Sequence, residues 1–225
     1  MNVRFTHIND KKAAVFETTL ALIAQHGFHG TAMSMIAKSA QVATGTIYHY
    51  FPSKDCLIEE LHLECKIHLN KQIFKGIKEI KSYKGRFFTI WKRFIRTSIE
   101  NPDMFGFLEQ YYSSPYSEHG GKTNRHSALS ENNICDFLVE GIKTKALKDL
   151  DINILLTSYI GIAISTVKTV LYAKVNYSET QIGQLIQIVW DGVKNEKKVN
   201  APFTNSTESA YESSTTINEN NLNVI

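Results

Sequence analysis

Residues 27–57 read GFHGTAMSMIAKSAQVATGTIYHYFPSKDCL. Gly27 closes a helical pattern over residues 11–26, in which Phe16, Leu20, Ile23 and Ala24 share one face. It suits the left-handed position that follows a helix, with Phe28 folding back onto the last turn. Thr31, three residues before Ser34, is placed to cap a second helix carrying Met35, Ile36, Ala37 and Ala40. That helix ends near Ser39 or Ala40. After Gln41 and Val42, Thr44 offers another cap, and a third helix runs from Thr46 to Tyr50. Pro52 stops it by restricting the residue before it. A long fourth helix then opens at Lys54-Asp55. Helices this short have little stability of their own. Three helices, two of them this short and joined by a tight turn, imply an arrangement that something else requires, and a helix-turn-helix is one.

The residue types in this stretch fit contact with DNA. Thr31 at a helix start offers a hydroxyl and free N–H groups to a phosphate. Gly45 lets the backbone approach without an intervening side chain, and the hydroxyls of Thr44 and Thr46 can meet base edges, a thymine methyl or a phosphate. Tyr48 and His49 face outward while Ile47 and Phe51 turn inward. Lys54 begins the fourth helix as a point charge within reach of the DNA backbone.

Read whole, the stretch resembles the DNA-binding domain of the tetracycline-repressor (TetR) family. The shared features run from the Gly-aromatic pair at Gly27-Phe28 through Thr31, Ile36-Ala37, Val42, Gly45-Thr46-Ile47-Tyr48 and Phe51 to Lys54 and Leu57. The resemblance implies that Thr31, Tyr48, Tyr50 and Lys54 contact phosphates. It also implies that Thr44, Gly45, Thr46 and His49 face bases. Two departures stand out: Gln41-Val42-Ala43 lacks the usual glycine and the usual hydroxyl before the recognition helix, and His49-Tyr50-Phe51 alters the usual Tyr-His-Phe order.

Downstream the helices lengthen. A fourth is expected to about Lys81, a fifth over 85–100 and a sixth after Asn101-Pro102. Residues 113–124 read as a loop. A seventh helix is expected over 128–146, an eighth over 153–175, and a ninth from Ser178 to Val193, with Ser178 and Gln181 at capping-box spacing. No strand alternation or repeat appears, so the chain reads as all-α. The chain reads as a helix-turn-helix domain (1–55), a helical domain (56–195), for which the family resemblance implies effector binding and dimerisation, and a polar tail (196–225) expected to be disordered. Trp91, Phe94, Phe105, Phe107, Tyr111 and Tyr112 form an aromatic set able to line a ligand pocket or to be plain core. Ile160, Ile164, Val167, Leu171, Ile182, Leu185, Ile186, Val189 and Trp190 are candidates for a four-helix dimer interface.

The net charge of +3 neither demands nor excludes a nucleic acid. Lysine and arginine dominate residues 66–96, a pattern that fits a solvated face better than a binding flank. Cys56, Cys65 and Cys135 show no CxxC spacing, which argues for a reducing compartment. The polar N-terminus and the short apolar runs point to a cytoplasmic protein without a membrane span. His62, Cys65 and His68 lie at i, i+3 steps that drift around a helix, so no metal is expected. No catalytic motif and no glycine-rich phosphate loop imply an enzyme or a cofactor. The expected function is a transcription regulator, a homodimer on double-stranded operator DNA released by a small-molecule effector. An all-α ligand-binding protein or enzyme and a helical interaction module are the rival readings; neither accounts for the spacing of the two short helices.

Overall fold

The computed structural model describes residues 5, 8–116 and 133–196. The expected tail and most of the expected 113–124 loop lie outside them. Nine α-helices and no strand occur among the described residues: α1 (Asp10–Gly30), α2 (Met33–Ser39), α3 (Thr44–Tyr50), α4 (Lys54–Phe74), α5 (Tyr83–Glu100), α6 (Pro102–Tyr112), α7 (Ile134–Lys143), α8 (Ile152–Leu171) and α9 (Glu179–Val193).

Helix α1 starts at Asn9, whose side chain accepts from the Lys11 and Lys12 amides, and breaks at Gly27 (φ 66°, ψ 178°). Only glycine adopts that backbone readily. The break turns Phe28 inward, 5.8 Å from the Phe107 ring. A Cβ on Gly27 would come no nearer than 3.7 Å to Gln110 Oε1, so the constraint is conformational and not one of space. Gly27→Ala is therefore expected to cost about 1–3 kcal/mol, read as a lower urea midpoint; an unchanged midpoint would contradict it.

Neither short helix is capped as its sequence implies. Ala32 and Ala43 precede α2 and α3, and neither start has a side-chain cap. Thr31 is fully buried and donates instead to the Gly27 carbonyl at 2.9 Å. Thr44 is already the first helical residue. Burial holds these helices in place of caps: Met33, Ile36 and Ala37 anchor α2, and Ile47 with Phe51 anchors α3. Between them Gln41 adopts a left-handed φ of 56°, while the Val42 amide reaches back to the Ala37 carbonyl at 3.0 Å.

Ser53 caps α4 through the Cys56 amide. The helix stops at Phe74, short of the expected Lys81, because Gly76 (φ 62°) turns the chain into a 3-10 turn at Ile77–Glu79. Ser82 then caps α5, Pro102 opens α6, and the capping box of Ser178 and Gln181 opens α9. Helix α8 begins one residue before the expected position and ends at Leu171. Its length and composition would suffice for a membrane span, which short apolar runs did not foretell. Leu155, Tyr159, Ile160, Ala163 and Val167 of this helix nevertheless lie in the protein's own core.

Two apolar cores result. The first joins Phe5, α1, α2, α3 and the first half of α4 (Leu57, Ile58, Leu61, Cys65) to Met104, Phe107, Leu108 and Tyr111 of α6. The second gathers Ile73, α5, Phe105, α7, α8 and α9. Helices α4 and α6 therefore belong to both. A boundary drawn at residue 55 passes through the first core.

Candidate nucleic-acid interface

Seven residues make up α3, and Ile47 is its only buried side chain. Thr44, Gly45, Tyr48 and His49 are exposed, Tyr48 by 49%; Thr46 and Tyr50 are half-buried. The next residue, Phe51, is fully buried against Phe16, ring centroids 5.4 Å apart. One face of the helix is thus committed to the core, and the other carries hydroxyl, imidazole and phenol groups with no core to serve. Nothing lies within 4 Å of a Cβ placed on Gly45.

The remaining predicted contacts are drawn into the frame beneath this face. Tyr50 accepts a hydrogen bond from Asn9 Nδ2 at 3.3 Å, tying the end of α3 to the start of α1. Lys54, half-buried, donates to the Phe28 carbonyl just past the break in α1. An ammonium has three donors, so two remain. Thr31 is a correction: buried, with its hydroxyl engaged by Gly27, it is not a surface contact.

Three further residues belong to the solvent side of this unit. Met35 and Lys38 of α2 are exposed, as is Gln41 in the turn. Their signal in the sequence was their phase opposite Ile36 and Ala37. Lys12 was missed as a frame residue; it pairs with Glu60 and lies 5.6 and 5.5 Å from the Phe16 and Phe51 ring centroids.

Residues 15–61 match the family described as bacterial regulatory proteins, tetR family. Residues 82–194, half of the chain, match the tetracyclin repressor-like C-terminal domain. The chain belongs to the TetR family of transcriptional regulators. A Haemophilus influenzae protein described as an uncharacterized HTH-type transcriptional regulator is 33% identical over 106 residues, 47% of this chain and 57% of that protein. The chain thus spans little more than half the length of that relative. A TetR family transcription regulator from Marinobacter aquaeolei superposes with a TM-score of 0.74 at 20% identity, covering 83% of this chain and 97% of its own. FadR from Bacillus subtilis, solved in complex with stearoyl-CoA, gives 0.58 at 22% identity over 79% of this chain and 95% of its own. At these identities the two structures share the fold.

In this TetR-family chain the six aromatic candidates do not form one wall. Trp91, Phe94 and Phe105 pack in the second core, whereas Phe107 and Tyr111 pack in the first with Tyr112 against it. The difference lies in α6, where Phe105 and Phe107 leave on opposite sides. The Trp91 indole is committed as well, donating to the Tyr159 carbonyl at 2.8 Å.

The expected dimer set needs a similar correction. Ile160, Val167, Ile186 and Val189 are buried within the protomer, so they face its core and not a partner. Ile164, Leu171, Ile182, Leu185 and Trp190 are half-buried against the same core. The large apolar residues that α8 and α9 and the link between them leave exposed are Ile154, Tyr172, Val175 and Ile188. Nothing lies within 4 Å of a Cβ built on Gly161 or Gly183, so neither is crowded within the protomer.

Much of the basic 66–96 segment is structural. Arg86 forms a two-pronged pair with Glu140 at 2.6 and 3.1 Å, and Lys92 faces Glu179 at 3.8 Å. Arg93 donates to the Ile73 and Lys75 carbonyls at the end of α4, satisfying acceptors that a helix terminus leaves open.

Proposed function

We propose that this protein is a homodimeric, cytoplasmic repressor that binds operator DNA through α3 and leaves it when a small molecule enters the helical domain. The observation that carries the reading is the division of α3. A single buried side chain fixes it, and Thr44, Gly45, Tyr48 and His49 lie exposed on the other side. Thr44, Gly45, Thr46 and His49 face the bases. Tyr48, Tyr50 and the Lys54 ammonium, already oriented by Phe28, take phosphates. Thr31 holds the start of α2 in place. The protein acts by binding and not by turnover.

Dimerisation uses the outer faces of α8 and α9, with Ile154, Ile188, Gly161 and Gly183 at the seam, where small residues allow close approach. Two copies then set their α3 helices into successive major grooves of a near-palindrome, one helical turn apart. The effector reading draws support from FadR, a neighbour of this fold that holds stearoyl-CoA. Because α4 and α6 take part in both cores, a ligand that prefers one packing of the second core shifts the position of α3.

The test is a fluorescence-anisotropy titration with the DNA upstream of the protein's own gene, repeated across salt concentrations. Tyr48→Ala is expected to weaken binding about tenfold or more while the urea midpoint stays put, since the ring is half exposed. Gly45→Ala should stabilise the fold by about 0.5–1 kcal/mol and still bind DNA less well, because the added methyl stands where the backbone meets the groove. DNA affinity equal to wild type in both variants would sink the reading.

A further inference from the structure

Asn9 serves two elements with one side chain. Its Oδ1 accepts from the Lys11 and Lys12 amides at 2.9 and 3.4 Å and so caps α1. Its Nδ2 donates to the Tyr50 hydroxyl at 3.3 Å, at the last residue of α3. The two amides fix which end of the carboxamide is which, because only its oxygen accepts. Capping alone does not call for asparagine, since aspartate and serine cap a helix about equally well. Aspartate has no hydrogen to give, and serine offers one hydroxyl on a shorter arm. Asparagine accepts from one helix while it donates to another.

Tyr50 is held up to its last bond. The ring is half-buried against the first core, 6.2 Å from the Phe51 centroid, with His49 edge-on at 5.8 Å. The freedom that remains is rotation of the hydroxyl hydrogen about the C–O bond. A phenol oxygen that accepts from an N–H turns its own hydrogen elsewhere. No acceptor among the described residues takes that hydrogen, and the bond lies at the surface, where a group from solvent can. Phosphate oxygens accept and never donate. A hydroxyl already turned as a donor meets one in a short, charge-assisted bond without first reorienting.

We propose that Asn9 is a positioning residue for DNA binding: by donating to the Tyr50 oxygen, it directs the phenol hydrogen away from α1 and onto a phosphate of the DNA backbone. The inference rests on the phosphate role given to Tyr50 above and deepens it. Asn9 precedes residues 15–61, the part of the chain that matches the family's DNA-binding domain. The polarity of one contact of α3 is thus set from outside that stretch.

The experiment uses the full chain and labelled DNA from upstream of its own gene, with anisotropy for affinity and urea unfolding for stability. Asn9→Ser keeps a cap without the donor to Tyr50, and should weaken binding about threefold, as for one hydrogen bond left unoriented. Its urea midpoint should match wild type, and its affinity should keep the wild-type salt dependence, because no cation is lost. Asn9→Asp also keeps the cap, but its carboxylate captures the Tyr50 hydrogen and repels the phosphate. Binding should then fall about tenfold or more, at a midpoint no lower than wild type. Tyr50→Phe should bind at least as weakly as Asn9→Ser, and adding Asn9→Ser to it should cost nothing further. A residue that merely caps α1 would not produce that coupling. The inference is overturned if Asn9→Ser binds as wild type does, if its loss comes with a lowered midpoint, or if the loss recurs in full on Tyr50→Phe. Should Tyr48→Ala weaken binding while Asn9→Ser does not, the regulator reading stands and the role of Asn9 falls. Wild-type protein that binds no DNA overturns both.

Discussion

Phe51→Ala is expected to cost about 3–5 kcal/mol, the usual range for emptying a buried aromatic site, and to remove DNA binding along with the stability. Phe51 is fully buried where the ends of three elements meet. Its ring lies 5.4 Å from Phe16, which in turn meets Phe5 edge-on at 5.4 Å. The Lys12 ammonium sits over both Phe16 and Phe51 while pairing with Glu60 of α4. The Phe51 amide also closes α3 by donating to the Ile47 carbonyl at 2.9 Å. A seven-residue helix has too few internal bonds to persist alone, so α3 depends on the Ile47–Phe51 anchor. Urea unfolding gives the loss of stability and anisotropy the loss of affinity. Tyr48→Ala is the contrast, because it should lose affinity at constant stability. A Phe51→Ala protein with a wild-type midpoint would mean that α3 is supported elsewhere.

Trp91→Ala should have an effect of similar size in the second core, about 3–5 kcal/mol. The indole is fully buried in α5, and its Nε1 donates to the Tyr159 carbonyl of α8 at 2.8 Å. Tyr159 returns the contact, its hydroxyl donating to the Phe87 carbonyl of α5 at 2.6 Å. Two hydrogen bonds running in opposite directions thus fix the register of α5 against α8, and Phe87 packs edge-on against Tyr159 at 4.5 Å. Truncation would leave a large cavity and remove one of the two bonds. Trp190, the only other tryptophan, is 5.1 Å from Phe87 and reports on the same core. Its fluorescence and far-UV circular dichroism should fall in one transition at a lower urea concentration. Separate transitions would show that the two cores unfold independently.

The legible parts of the fold were those written in local chemistry. The glycine break at Gly27, the capping box at Ser178 and Gln181, and the Asn101-Pro102 junction each act within a few residues, so the sequence alone places them. The phase of α3 was also readable, because Ile47 and Phe51 are the large apolar residues of a very short segment. What escaped depended on partners distant in the chain. Thr31 looks like a cap until the kinked end of α1 brings the Gly27 carbonyl to its hydroxyl. Ile160 and Ile186 look like an interface because α8 and α9 are apolar on several sides, and their packing against α5 and α7 determines which side turns inward. Phe105 and Phe107, two residues apart, separate into different cores because α6 packs on α1 as well as on α4 and α5, and helical spacing alone could not reveal that. Within the candidate interface, residue types were readable, while the engagement of Lys54 and Tyr50 by Phe28 and Asn9 was not.

The passage of α6 through the first core bears on how heads of this family can be exchanged. A chimera joined at residue 55 would pair a foreign head with Met104, Phe107, Leu108 and Tyr111, residues fitted to the native α1 and α4. Excising residues 1–75 would leave the same four side chains without a mate on one piece and a hole on the other. A recombinant that works must carry α6 along with the head, or rebuild those four positions to suit the newcomer. The heritable unit of DNA recognition in this protein is therefore discontinuous in the gene, with its last fragment some thirty residues beyond the end of α4.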